Sequence, residues 1–104
     1  MNHGRPYLAL AIAAGALCFP PLASAADLAK GNRIYMQHCA NCHGPRGMSL
    51  NPGTPNLARN EGLQKADMML LQTIKMGRGG QPPFFGILSD QDILDTLAYS
   101  RTLR

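Results

Sequence analysis

Apolar residues recur at three- and four-residue spacing in three stretches of the chain, and nowhere do they alternate with polar residues over a strand's length. The first stretch carries Leu28, Gly31, Ile34 and Tyr35 on one helical face, with Asp27 as its N-cap. The second places Leu70, Leu71 and Ile74 together, with Asp67 as cap and Gly77 as stop. The third starts at Ser89, sets Asp90 and Asp92 in its first turn, and buries Ile93, Leu94, Leu97 and Ala98; Arg101 and Arg104 lie toward its end, as the helix dipole favours. The chain has no Val and no Trp to support strands. The predicted fold class is all-α, with three main helices and long loops.

Between these stretches the pattern breaks down. Residues 44–65 contain Gly44-Pro45, Asn51-Pro52-Gly53 and Pro55, which exclude a long regular element. A loop of about twenty residues in so small a domain points to function or to wrapping around a bound group. Gly79-Gly80-Gln81-Pro82-Pro83 is likewise non-helical, and Phe84-Phe85 return the chain to apolar surroundings. Gly31 inside the first helix either admits a closely packed second helix or is simply tolerated.

The amino terminus follows a different logic. One Arg and no acidic residue precede an apolar run from Tyr7 to Phe19, then Pro20-Pro21 and the small-residue triplet Ala23-Ser24-Ala25. Residues 1–25 read as a secretory signal cleaved before Ala26, with an uncleaved membrane anchor as the alternative. The run is shorter than the roughly 20 residues that span a bilayer. Leu17 before Cys18 disfavours lipid attachment at that cysteine. Of 104 residues, removing 25 leaves 79, enough for one domain at 26–104 and too few for a large core without a staple or a bound group.

Charge narrows the partners. Ten basic residues less Arg5, against six acidic ones, leave a mature charge of +3, and the positive positions are scattered. No phosphate-tracking run exists, so nucleic acid is not an expected partner, and any membrane association would come only through export or an uncleaved leader.

Once Cys18 leaves with the leader, only Cys39 and Cys42 remain, in Cys39-Ala40-Asn41-Cys42-His43. Cys-x-x-Cys-His is the attachment signature of c-type haem. Two cysteines three positions apart near a helix end put both sulfurs on one side of the chain, within reach of the two vinyl groups on one porphyrin edge, and His43 then projects toward iron. The competing uses are weaker. His38 to His43 are too crowded to close a zinc tetrahedron. A thioredoxin-like pair expects a neighbouring βαβ unit. A disulfide over so small a loop contributes little.

With these residues in view, the mature chain resembles the small single-haem class I cytochromes c. Gly31, Tyr35 and Cys39–Gly44 resemble that family's first helix and haem site, Gly53-Thr-Pro55-Asn-Leu57 its proline-containing segment, and Pro82-Pro83-Phe84 with Leu88–Asp92 its distal loop and last helix. The resemblance implies one covalent haem c, thioether-linked through Cys39 and Cys42, with His43 as proximal iron ligand and the Pro55 carbonyl accepting from its imidazole. It implies a periplasmic one-electron carrier, not an enzyme, that meets dehydrogenases, oxidases or reductases transiently through small interfaces.

One departure stands out. The family's distal methionine precedes the loop proline, and here that position is Gln81. Met76 or Gln81 is therefore the distal candidate: a thioether suits haem iron better than an amide oxygen, but Gln81 holds the position. Met48, Met68 and Met69 read as packing residues, His38 as a solvent-facing or satisfied histidine, and Phe84 and Phe85 as crevice lining or partner contact. An open or weakly held distal site would allow small-ligand binding, and membership of a periplasmic oxidoreductase complex as its haem subunit is a further alternative.

Overall fold

The structure, a computed structural model, describes residues 25–104 together with Gly4 and Gly15. The rest of the expected signal segment, Cys18 included, lies outside the described residues. Among the described residues four helices follow in order: α1 (Leu28–His38), α2 (Ala40–His43), α3 (Asp67–Met76) and α4 (Asp90–Ser100), with a single 3-10 turn at Leu57–Arg59. No strand occurs among the described residues, and the one β-bridge joins Arg78 to Gln81. The three expected helices are present; α2, a single turn carrying the second cysteine and His43, is the addition.

Capping explains the boundaries. Asp27 accepts from the Lys30 amide at 2.9 Å, and Ser89 forms a full capping box with Asp92. At α3 the expected cap shifts by one residue: Ala66 is the N-cap without a side-chain bond. Asp67 is the first helical residue instead, where its carboxylate receives Arg101 Nη2 at 2.7 Å. Gly77, with φ of +78°, ends α3.

Helices α1 and α4 cross at Gly31. A Cβ at that position would run into the Asp95 backbone carbonyl and lie 2.7 Å from its carbon, so the glycine admits the close approach and is not merely tolerated. One turn on, the Tyr35 and Tyr99 rings lie 5.4 Å apart at 57°. Tyr35, Leu57, Leu63, Leu70, Leu71, Ile93 and Leu97 form the core.

The buried stripes differ from the sequence pattern in two places. Leu28 is 47% exposed, because α1 meets α4 through Gly31 and Tyr35. On α4, Leu94 and Ala98 are half-buried, while Asp95, Thr96 and Ser100 are buried. The two hydroxyls are satisfied within their own helix, Thr96 donating to the Asp92 carbonyl at 2.7 Å and Ser100 to the Thr96 carbonyl at 2.8 Å, so their burial leaves no polar group unpaired.

Candidate functional site

A cavity of about 790 Å³ lies between the α1–α2 segment, the loop 51–55, the loop after α3, and α4. Its size falls within the few hundred to about 1,000 Å³ typical of cofactor pockets. Cys39, Cys42 and His43 all line it, Cys39 half-buried and Cys42 exposed. Burial pushes the Cys39 thiol up to about 11, so it is neutral at physiological pH.

The His43 ring is oriented by the second wall. Its Nδ1 lies 3.0 Å from the Pro55 carbonyl oxygen. A carbonyl can only accept, so Nδ1 carries the proton and Nε2 is the nitrogen with a free lone pair, the one available to a metal. The end of α2 is anchored by Tyr35, whose buried hydroxyl donates to the Gly44 carbonyl at 2.5 Å. Burial pushes that phenol up to about 12, so it remains a donor across the physiological range. Tyr35 was readable as a core residue, and its tether to the residue after His43 is visible only in three dimensions.

The remaining wall comes from α3, α4 and the loop between them. Leu70, Ile74, Leu88, Ile93 and Leu97 make it apolar, and Phe84 closes it. Phe84 is buried at 7% exposure while Phe85 is 69% exposed, so of the two phenylalanines the first lines the crevice. His38, expected at the surface or satisfied, is half-buried on the wall, its ring 5.4 Å from that of Phe84 and edge-on. Gln81 is half-buried and lines the cavity. Met76 does not, and is 66% exposed. Met48, Met68 and Met69 are also exposed, at 60% or more, and do not pack as expected; on α3 it is Leu70 and Leu71 that turn inward.

These residues fit a covalently held haem. Two thiols and an imidazole with its metal-binding nitrogen free share one wall of an apolar cavity. Among the described residues no cluster of three His, Cys, Asp or Glu could hold a metal ion by itself. A planar group with its own four nitrogen donors requires only axial ligands from the chain. None of the described helices is long and apolar enough to cross a membrane.

Comparison with known proteins agrees with this geometry. Residues 26–99 match the family model described as cytochrome c oxidase, cbb3-type, subunit III. The chain is 38% identical over 79 residues to cytochrome c6 of Synechocystis sp., covering 74% of this chain and 66% of that one. It is 35% identical over 80 residues to the cbb3-type cytochrome c oxidase subunit FixP of Bradyrhizobium diazoefficiens, where the match spans 74% of this chain but 28% of the relative. The solved structure of cytochrome c6 from the diatom Phaeodactylum tricornutum superposes with a TM-score of 0.62 at 25% identity, over 73% of this chain and 92% of that one.

Proposed function

The chain belongs to the small c-type cytochromes, and from that premise we propose that it is an exported single-haem carrier passing one electron at a time between redox partners in the periplasm. It binds one haem c covalently. In this reading Cys39 and Cys42 provide the two thioether links and His43 Nε2 the proximal ligand. The Pro55 carbonyl holds the imidazole in the tautomer that ligation needs and adds to its basicity. The observation that carries the assignment is the His43 Nδ1 contact of 3.0 Å to Pro55 on the wall that also holds both cysteines.

When bound, the haem iron supplies the one-electron couple. The chain's part is to exclude water and keep polar groups satisfied around it. Leu70, Ile74, Phe84, Ile93 and Leu97 provide the apolar sheath, and the inward-facing hydroxyls of Thr96 and Ser100 are tied into α4. Residues 1–25 would serve export, with the mature chain starting at Ala26. Partners would be dehydrogenases, oxidases or reductases, met through a small, transient interface.

A second reading, as the haem subunit of a larger oxidase or reductase, is favoured by the FixP similarity and by the description of the matching family model. Expression with an export and haem-attachment apparatus separates the possibilities. The carrier is expected as a monomer of the mature polypeptide plus one haem, with reversible ferric and ferrous spectra. Bare polypeptide mass without pigment would overturn both readings, and stable co-purification with a larger redox protein would overturn the free carrier.

A further inference from the structure

The five methionines of the described residues, Met36, Met48, Met68, Met69 and Met76, all stay off the cavity wall, and each is about half exposed or more. Among the described residues no thioether therefore faces the space that His43 faces. Met76 is the last residue of α3, and the chain after it is fixed. The Gly77 amide donates to the Thr73 carbonyl at 2.9 Å, and the Phe84 and Phe85 amides return to the Ile74 and Lys75 carbonyls at 3.3 and 3.0 Å. A Cβ on Gly77 would lie 2.8 Å from Pro83 N and 2.9 Å from Gln81 O, so the loop packs tightly against the helix end. Drawing Met76 inward by refolding this segment would break those three backbone bonds.

Gln81 is held in the opposite sense. Arg78 and Gln81 exchange both backbone hydrogen bonds, at 3.1 and 3.0 Å, in a tight turn through Gly79 and Gly80 that sets Gln81 on the wall. Among the described residues no hydrogen bond commits its side-chain amide. The hydroxyls that α3 and α4 bring to these walls are occupied: Thr73 donates to Met69 O, Thr96 to Asp92 O and Ser100 to Thr96 O. His38 is set edge-on to Phe84 and adjoins Cys39.

We infer that Gln81 is the residue this chain presents to the haem's sixth coordination position, so that an exchangeable amide stands there in place of a thioether. This rests on the covalent haem proposed above. A hard amide oxygen favours ferric over ferrous iron, so the site is held in the oxidised protein and loosened in the reduced one. The reduced protein is then able to take a small neutral π-acceptor ligand, while the chain retains its electron-carrying architecture.

The test uses the matured, haem-loaded protein, with carbon monoxide as the probe. The wild type is expected to lack the far-red band of a thioether bound to ferric iron, and Met76→Ala to leave its spectrum unchanged. Gln81→Met is expected to introduce that band and raise the reduction potential. It should also weaken carbon monoxide binding to the reduced protein at least about tenfold, since the occupied position must first be vacated. A thioether band in the wild type would overturn the inference, as would its failure to appear in Gln81→Met. So would a low-spin spectrum that His38→Ala abolishes. Failure of the haem assignment looks different: no pigment and no added mass.

Discussion

Lys30 Nζ lies 2.8 Å from Asp95 Oδ2 across the α1–α4 crossing, and the Asp95 side chain retains 2% of its exposure. The same carboxylate accepts from the Asp27 amide at 3.0 Å and from Gln91 Nε2 at 2.9 Å. One buried side chain therefore ties the start of α1 to the middle of α4, above the cavity those helices help enclose. Burial alone would raise the Asp95 carboxyl, but the bonds from Lys30, Gln91 and the Asp27 amide outweigh it and hold the group below its usual range.

This arrangement predicts the pH profile of stability. Asp92 is lowered by the Ser89 amide and by Lys30, and Lys30 is raised above 10.5 by Asp95 and Asp92. A carboxylate with a lowered folded pKa contributes stability above its unfolded value and loses it as pH falls through the folded one. The raised lysine contributes below its unfolded value and loses that contribution as pH rises through its folded one. Thermal unfolding should therefore be level between about pH 5 and 9 and decline on both sides. Asp95→Asn should flatten the acid limb, and an unchanged acid limb would count against the network.

Gly31→Ala should be among the most damaging single-methyl additions in the chain. The added carbon meets the Asp95 backbone carbonyl, and a backbone cannot rotate away as a side-chain end can. The helices must separate, at about 1–3 kcal/mol or more. Denaturant unfolding of the haem-loaded variant measures it, and Gly53→Ala is a poor control because φ there is +79°. Gly80→Ala, with open space at its Cβ and no positive φ, is the proper one.

Tyr35→Phe removes one oxygen and leaves the buried Gly44 carbonyl with the Gly47 amide, at 3.1 Å, as its remaining donor. The expected cost is about 0.5–1.5 kcal/mol. Because Gly44 directly follows His43, the variant should also broaden the proximal imidazole environment, read as a change in the ferric haem spectrum. A stability loss with an unaltered spectrum would reduce Tyr35 to a packing residue.

The extent to which this was legible beforehand follows from what each signal depends on. The three helices, Ser89 as cap and the Cys39–His43 signature are local facts, fixed by spacing and capping chemistry within a few residues. Asp95 and Thr96 gave no such signal, because polar residues in a helix read as solvent-facing until the partner carrying Lys30 is placed against them. The division between Phe84 and Phe85 is equally non-local. Neighbouring residues of the same type are separated only by the amide bonds that turn the loop back onto Ile74 and Lys75. Gln81 was conspicuous in sequence as a departure from a family pattern, but the solvent-facing position of every described methionine could be read only from the fold.

Pro55→Ala should do little, and for a specific reason. The acceptor for His43 Nδ1 is the backbone carbonyl, which every residue type carries, so the substitution keeps the atom and removes only the ring. Pro55 is exposed, and even a Cβ added at Gly62 would come no nearer than 3.5 Å to the proline Cβ, so the ring is not tightly packed on that side. The ring's contribution is to limit the unfolded chain and hold the carbonyl's direction, about 0.4–1 kcal/mol of stability. The haem spectrum should be retained and the reduction potential should move by a small part of the roughly 0.8 V that axial ligation spans. A lost spectrum in Pro55→Ala would mean that the proline ring, and not its carbonyl, sets the proximal side.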